Sequence, residues 1–197
     1  MRTTKRVAIF LCIATLAALI ARADEYNKKT VATFSGPVEI PGKVLPAGTY
    51  VFKLFDSDSN RDIVQIWNKD ETQLIGTVLA IPDYRLSPPN DPIITFEERA
   101  QGAPPAIRAW FYPGDNYGYE FAYPKTRATE LASANNKNVP TMADSMSSNV
   151  SKSTNSKTSS GVVALKQTRV TAMTPDKNEV DANQAIQTKP GPSGGNQ

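Results

Sequence analysis

The chain has 197 residues, a formal net charge of +3, no histidine and a single cysteine. This length suits one ordinary domain followed by a tail. The missing histidine excludes Ser-His-Asp and Cys-His catalytic arrangements, and it excludes the usual zinc sites built from histidine and cysteine. The glycines do not form a phosphate-binding loop or a dinucleotide fingerprint, so the common nucleotide-binding classes are excluded as well.

The N-terminus has the pattern of an export signal. After a basic start, an apolar run covers 7–20, and Ala-Arg-Ala over 21–23 matches a cleavage site. The run is short for a membrane span, and a retained anchor is the alternative interpretation. We therefore expect a signal peptide over 1–23, a mature chain from Asp24 without a stable membrane span, and a periplasmic or extracellular location.

Removal of the signal peptide changes the sign of the net charge. Lys and Arg fall from 22 to 18 while Asp and Glu stay at 19, so the mature chain is near −1. We therefore expect no nucleic-acid partner, because the basic balance belongs to the export signal. Cys12 is lost too, so the exported domain must rest on its hydrophobic core. The four basic residues removed are Arg2, Lys5, Arg6 and Arg22.

Residues 24–125 show short apolar runs separated by turn residues, a spacing typical of sandwiches and barrels. In the stretch over 41–55, a Pro/Gly turn leads into a strand with Tyr50, Phe52 and Leu54 on one face. We predict an all-β domain, a small antiparallel β-sandwich of about eight short strands. The strands are expected, in chain order, at 30–35, 38–40, 49–55, 63–68, 74–81, 93–99, 107–112 and 119–123.

The composition changes after Tyr123, because none of the 74 residues that follow is aromatic. A short exit helix is predicted over 126–135, where good helix formers are concentrated. A disordered low-complexity tail is predicted over 136–197, since it has little apolar area to offset chain entropy. Its apolar cluster at 162–165 is either a strand that adds to a partner's sheet edge or an unpaired local strand.

Four oxygen-bearing side chains alternate in the turn before the fourth predicted strand, a spacing like the start of a calcium loop. However, Arg61 stands where such a loop has glycine, and Trp67 stands where it has glutamate. A solvated hairpin turn is the alternative interpretation. We expect no other cofactor. The candidate metal ligands are Asp56, Asp58, Asn60 and Asp62.

The richest aromatic segment is W-F-Y-P-G-D-N-Y-G-Y over 110–119. If Ile107 faces the core, strict alternation points Trp110 and Tyr112 outward, where flat rings beside polar groups can stack on a sugar. Alternatively, the rings cover a sheet edge or plug the end of the sandwich. The candidate ligand-binding residues are Trp110, Tyr112, Asp115, Asn116 and Tyr117.

Carboxylates are the remaining candidate catalytic side chains. Asp115 and Glu120 flank the aromatic loop and have the residue types of a glycosidase acid and base. The adjacent Glu97 and Glu98 point to opposite faces of a strand and make a poor pair. Because any β domain supplies such pairs by chance, we predict no catalytic residue and a non-enzymatic protein.

Two segments, V-E-I-P-G-K-V-L-P-A-G-T-Y-V-F-K-L over 38–54 and W-F-Y-P-G-D-N-Y-G-Y-E-F-A-Y-P-K over 110–125, carry a family resemblance. They resemble uncharacterised exported bacterial β domains that share an L-P-A-G-T-Y hairpin and a W-F-Y-P-G-D segment. The resemblance implies an exported all-β domain. Because that family carries no assigned activity, it transfers no functional residues. Shorter similar segments lie at 63–68, 79–85 and 96–99.

These patterns predict an exported, non-enzymatic β-sandwich that serves as a binding or interaction module for a protein or glycan partner. One alternative is a carbohydrate-binding module or a weak carboxylate-based glycosidase, which glycan binding or turnover would identify. The other alternative is a structural cell-envelope protein, which assembly beyond a monomer would identify.

Overall fold

The structure is a computed structural model that describes residues 28–56, 62–97, 102–143, 165 and 167–182. Its elements are numbered in chain order. They are β1 (Lys29–Phe34), β2 (Val38–Ile40), β3 (Lys43–Leu45), β4 (Gly48–Asp56), β5 (Asp62–Asn68), β6 (Leu74–Tyr84), β7 (Ile93–Glu97), β8 (Ala106–Phe111), β9 (Tyr117–Phe121), β10 (Tyr123–Pro124), α1 (Lys125–Asn135), β11 (Val139–Met142), β12 (Thr171–Met173) and β13 (Glu179–Asp181).

The predicted all-β, sandwich-like fold is confirmed, and each of the eight predicted strands has a counterpart. Within the large sheet, the strand that the sequence-based prediction missed is β3, which lies within the stretch interpreted as a turn. Pro41 and Gly42 form a two-residue turn that pairs Ile40 with Lys43. Gly42 has a φ of +78°, which suits the third position of a type II turn after proline.

Nine strands form the large sheet, mostly in antiparallel pairs. Strands β4, β5 and β6 follow one another as a meander, with β1 on the outer side of β4. The sheet continues from β6 to β9 and β8, and β7 pairs with the other side of β8. The β2–β3 hairpin joins at the start of β8 through a parallel contact between Glu39 and Ala106.

The sheet folds over so that its inner face encloses one aromatic core. Phe34 on β1 contacts Phe96 on β7, with the ring centroids 6.3 Å apart. Phe52 on β4 lies 6.2 Å from Trp110 on β8. The indole Nε1 of Trp110 donates a hydrogen bond of 3.0 Å to the hydroxyl of Thr30 on β1. The two ends of the sheet are therefore joined across its interior by rings and by one buried hydrogen bond.

A second core lies on the outer face of β5 and β6, where Ile63, Leu79 and Ile81 are buried. It is closed by a four-stranded sheet in the order β10-β11-β12-β13 and by Leu165. Alternate residues of β5 and β6 therefore pack into different cores, with Val64 and Val78 facing inward. This packing buries both faces of the central strands.

The fold continues past the boundary predicted at residue 135. Strands β11, β12 and β13 fall within the range predicted to be a disordered tail, and that prediction is corrected for them. Scattered apolar side chains such as Met142 and Val170 suffice there, because they need only cover a face that β5 and β6 already present. Residues 144–164, 166 and 183–197 of the predicted tail lie outside the described residues, as does the predicted signal peptide.

The predicted exit helix is present as α1. It begins after Pro124 and ends where Asn136 adopts a left-handed conformation and donates its backbone N–H to Ala132. Ala128, Leu131 and Ala132 are buried against the inner core. Within the part of the chain that the structure describes, no helix combines the length and apolar character needed to cross a membrane.

Candidate functional site

The described chain gathers three features at one end of the sandwich. Lys28 lies there just before β1, β6 ends there at Tyr84, and β8 and β9 are connected there. A backbone hydrogen bond of 2.7 Å from Arg85 to Asn116 joins the two loops, and another of 3.0 Å runs from Gly114 to Pro89. We call this surface, made of Lys28 and residues 84–92 and 112–117, the loop end.

Trp110 is not on the surface, which contradicts the outward placement expected from strict alternation. It has 0% of its surface exposed and lies in the inner core. The cause is a bulge in β8: Thr95 pairs with Ala109 and Phe96 with Ile107, so Arg108 is an extra residue. Ile107 and Trp110 therefore both point inward although three positions separate them. Trp110 is therefore a residue of the inner core.

The side chain of Lys28 lies beneath the loop end and contacts both Asp115 and Tyr117. Its side chain is almost completely buried, and its Nζ lies 2.6 Å from Oδ2 of Asp115. The same nitrogen donates to the hydroxyl of Tyr117 at 2.7 Å and contacts that of Tyr119 at 3.1 Å. It also sits 4.4 Å from the centroid of the Tyr117 ring, a cation–π distance. One ammonium thus fixes two of the five predicted site residues.

The electrostatics of this cluster favour a charged Lys28 and a neutral Tyr119. Burial alone lowers the pKa of the Lys28 ammonium, but its contacts with Asp115, Tyr117 and Tyr119 outweigh burial and raise that pKa. Burial raises the pKa of the Tyr119 hydroxyl, and the nearby Lys28 only partly offsets this effect. The contacts of Lys28 are therefore a stable support for the loops at neutral pH.

The exposed part of the loop end includes residues that the sequence-based prediction missed. Tyr84 pairs with Tyr117 across β6 and β9 and is 66% exposed. Leu86, two residues further on, is 89% exposed. Asn116 is exposed, and Tyr117 is half-buried. The signal for Tyr84 and Leu86 is present in the sequence, because Y-R-L interrupts a polar, proline-rich loop with two large apolar side chains.

Tyr112 lies between the buried and exposed parts. Its ring meets the ring of Trp110 at 6.4 Å in an edge-to-face arrangement, and it is half-buried. Of the five predicted ligand-binding residues, four therefore lie at the loop end, and Trp110 supports them from the core.

The carboxylates considered for glycoside hydrolysis are not brought together. Glu120 follows Tyr119 along β9 and points to the opposite face, whereas Asp115 contacts Lys28 beside Tyr119. Arg108 Nε donates to Glu120 at 3.0 Å and lies 3.7 Å from Glu97. Burial by itself lowers the pKa of Arg108, but the neighbouring carboxylates raise it. Glu97 and Glu120 are buried, so these groups form a structural ion cluster.

The candidate calcium ligands are only partly described. Asp62 begins β5 and is buried, and its charge contributes to the raised pKa of Tyr119. The backbone of Asp56 ends β4, while Asp58 and Asn60 lie outside the described residues. Among the residues that the structure describes, no group of three or more acidic, histidine or cysteine side chains is placed to hold a metal ion.

The chain was compared with protein-family models, with curated proteins and with solved structures, and none of them matches it. The resemblance to exported bacterial β domains therefore stays a prediction.

Proposed function

We propose that this protein is an exported, non-enzymatic interaction module that contacts its partner through the loop end. The observation that carries the proposal is the exposure of Tyr84 beside Tyr117, on loops that a buried lysine fixes in place. Large apolar side chains held rigidly at a surface lose little conformational entropy on binding, which is why such positions dominate many interfaces.

Three features of the described residues support this choice of surface. The two most exposed large apolar side chains of the described residues, Tyr84 and Leu86, stand two positions apart at the loop end. Two backbone hydrogen bonds link that loop to the loop after β8. The charges of the buried Lys28 and the partly buried Asp115 neutralise each other, so this ion pair adds little net charge to the surface above it. A partner of apolar or amphipathic character fits such a surface better than a strongly charged one.

A glycan is the second candidate partner. The backbone contact between Arg85 and Asn116 brings an exposed amide beside the exposed ring of Tyr84. A ring to stack on and an amide to bind hydroxyl groups are the elements of a carbohydrate site. Glycoside hydrolysis is not part of this proposal, because Asp115 and Glu120 lie on opposite faces.

The test is binding of the purified protein to washed bacterial envelope fragments, measured by co-sedimentation. Tyr84→Ser and Asn116→Ala alter exposed side chains and should preserve the fold, since the backbone contact to Asn116 uses its carbonyl oxygen. We expect each to weaken binding, by about tenfold for Tyr84→Ser. Val44→Ser is the matched control, because Val44 is 49% exposed in the β2–β3 hairpin near the opposite end of β8.

Two results would contradict the proposal. One is a wild-type protein that does not sediment with envelope fragments. The other is equal weakening by the control and by the loop-end variants, which would place the contact elsewhere.

A further inference from the structure

We propose that two copies of this protein pair along strand β1, as antiparallel neighbours related by a two-fold axis at Val31. The proposal goes beyond the loop-end interaction, and either one can fail without the other. Its basis is the outer edge of β1, which stands at one end of the large sheet and which no other described strand pairs with. An unpaired edge offers a row of backbone hydrogen-bonding groups to another strand.

Strand β1 is the longest and most regular of the sheet edges that the structure describes. It pairs with β4 over six consecutive residues without a bulge. By contrast, β7 has a register shift between Thr95 and Phe96, and β10 ends in Pro124. Strand β13 has three residues, with Glu179 and Asp181 in ion pairs, and β3 also has three residues. Bulges, proline, charge and short length all discourage edge pairing, so β1 is the edge most open to it.

The contact with β4 determines which backbone groups of β1 point outward. The carbonyl oxygen of Lys28 accepts a hydrogen bond of 3.0 Å from the N–H of Leu54, so this position points toward β4. Backbone groups alternate in direction along an antiparallel strand. The N–H and C=O groups of Lys29, Val31 and Thr33 therefore point to the free edge.

A two-fold axis at Val31 uses all three of these positions. Val31 then lies opposite Val31 of the second copy, and Lys29 lies opposite Thr33, which gives about six backbone hydrogen bonds. The side chain of Val31 is 62% exposed, and in this register it is covered by its own counterpart. Shifting the register by one pair in either direction loses hydrogen bonds and places Val31 opposite Lys29 or Thr33. The hydrogen bonds and the apolar contact thus select the same register.

The charges of the edge are compatible with this arrangement. The ammonium of Lys29 is already paired with Glu71 at 3.0 Å, and in the proposed register it faces a threonine rather than a second lysine. The edge is therefore complementary to itself, which favours a second copy over an unrelated strand. A two-fold contact uses the edge of both copies, so association stops at a dimer. Because the paired strands run in opposite directions, the two loop ends lie at opposite ends of the shared strand pair.

The experiment is sedimentation equilibrium of the full chain, expressed with its leader and purified after natural processing. We expect a monomer–dimer equilibrium with a Kd on the order of 10–100 µM, because one short strand pair makes a small interface. Val31→Lys should raise Kd at least about tenfold, because it places like charges opposite each other at the axis. Val44→Lys is the matched control, since Val44 is 49% exposed on the edge strand β3 and should leave Kd unchanged.

A charge-swapped pair separates association from folding. Val31→Glu alone should also be monomeric, whereas an equimolar mixture of Val31→Lys and Val31→Glu should dimerise at least as well as wild type. A folding defect in either variant would not be repaired by mixing.

Cysteine substitutions test the register. Val31→Cys brings two thiols opposite each other with a Cα separation of about 5.5 Å, which a disulfide can bridge. Thr33→Cys leaves its two copies four residues apart along the strands, about 13 Å, which is too far. Oxidation with glutathione disulfide should therefore cross-link Val31→Cys into a dimer and leave Thr33→Cys at the level of wild type.

Each contrary outcome overturns a stated part of the proposal. A wild-type protein that stays monomeric at concentrations well above the expected Kd would refute the dimer. Equal dimerisation of Val31→Lys and Val44→Lys would place the contact elsewhere, as would a mixture of the charge-swapped variants that stays monomeric. Cross-linking of Thr33→Cys as fast as Val31→Cys would contradict the register, and species larger than a dimer would contradict the closed two-fold arrangement.

Discussion

Replacing Lys28 by methionine should destabilise the whole sandwich, although the residue stands at the edge of the first strand. The substitution keeps most of the apolar side-chain volume and removes the ammonium. Asp115 then loses the cation 2.6 Å from its carboxylate, and the hydroxyl groups of Tyr117 and Tyr119 lose a shared donor. The perturbation therefore separates the electrostatic role of Lys28 from its packing.

The magnitude follows from burial. Breaking a buried ion pair by removing one partner costs about 3–5 kcal/mol. The carboxylate of Asp115 retains partial access to water, so part of this cost is recovered. We expect a loss of about 2–3 kcal/mol in the free energy of unfolding, equivalent to a fall of roughly 6–9 °C in Tm. A double-mutant cycle with Asp115→Asn should give a coupling of about 1–2 kcal/mol.

The assay is urea unfolding with Lys29→Met as the control. Lys29 is the next residue, and it forms an exposed ion pair with Glu71 at 3.0 Å. Such surface pairs contribute about 0–1 kcal/mol. If Lys28→Met and Lys29→Met lower the free energy of unfolding by amounts within about 0.5 kcal/mol of each other, the cluster does not support the loop end as described.

The same cluster predicts the dependence of stability on pH. The folded-state pKa of Lys28 is raised, so the stability that it contributes is complete below the unfolded-state pKa of about 10.4. That contribution is lost as the pH rises through the higher folded-state value. The raised pKa of Tyr119 acts in the same direction above about pH 10. The difference between wild type and Lys28→Met should be constant from about pH 6 to 9 and shrink above about pH 10.5. A difference that already falls between pH 6 and 9 would contradict this assignment.

Three further substitutions test the packing. Gly118→Ala should cost about 1–3 kcal/mol, because its Cβ would press on the Phe111 ring and lie 2.7 Å from the carbonyl oxygen of Trp110; Gly36→Ala, where the space is open, should change the urea midpoint little. Trp110→Ala should cost about 3–5 kcal/mol in the same assay, and a folded variant of wild-type stability would show that the indole is not core. Arg127→Met should lower the free energy of unfolding by about 2 kcal/mol, because it removes two hydrogen bonds of 2.7 and 2.8 Å to the partly buried carboxylate of Glu39 on β2. A loss below about 0.5 kcal/mol would show that this contact contributes no more than an ordinary surface ion pair.

The sequence predicts strands well where side chains alternate between two environments. Strand β4 is the best example, because Phe52 packs inside while Lys53 stays at the surface. Alternation fails in β8, where one extra residue at Arg108 shifts the inward positions and takes Trp110 into the core. A bulge changes which face a side chain occupies without leaving a signature in composition. The prediction of Trp110 as an exposed ligand-binding residue is wrong for this reason.

Contacts between distant parts of the chain set the other limits of prediction. Lys28 and Tyr117 are 89 positions apart, and nothing in their local sequences indicates that they meet. Similarly, β12 and β13 are three-residue strands in a polar segment, too short for a periodic signal. Their formation depends on the apolar outer face of β5 and β6, which they cover and which only the assembled sheet provides. Tyr112, Asp115, Asn116 and Tyr117 lie together because they share one loop, and their role in ligand binding stays a prediction.

The two sides of the second core are synthesised at different times, which affects how the nascent chain folds. Ile63 and Leu79 on one side and Met142, Val170 and Ala182 on the other are made at very different times, because synthesis runs from the N-terminus. A nascent chain that has already formed the β4–β6 meander displays an apolar sheet face until the last strands emerge. Such a face is a target for chaperones and for aggregation. Chains shortened before β12 should therefore be recovered mainly as insoluble or chaperone-bound material, even though they contain every aromatic residue of the fold.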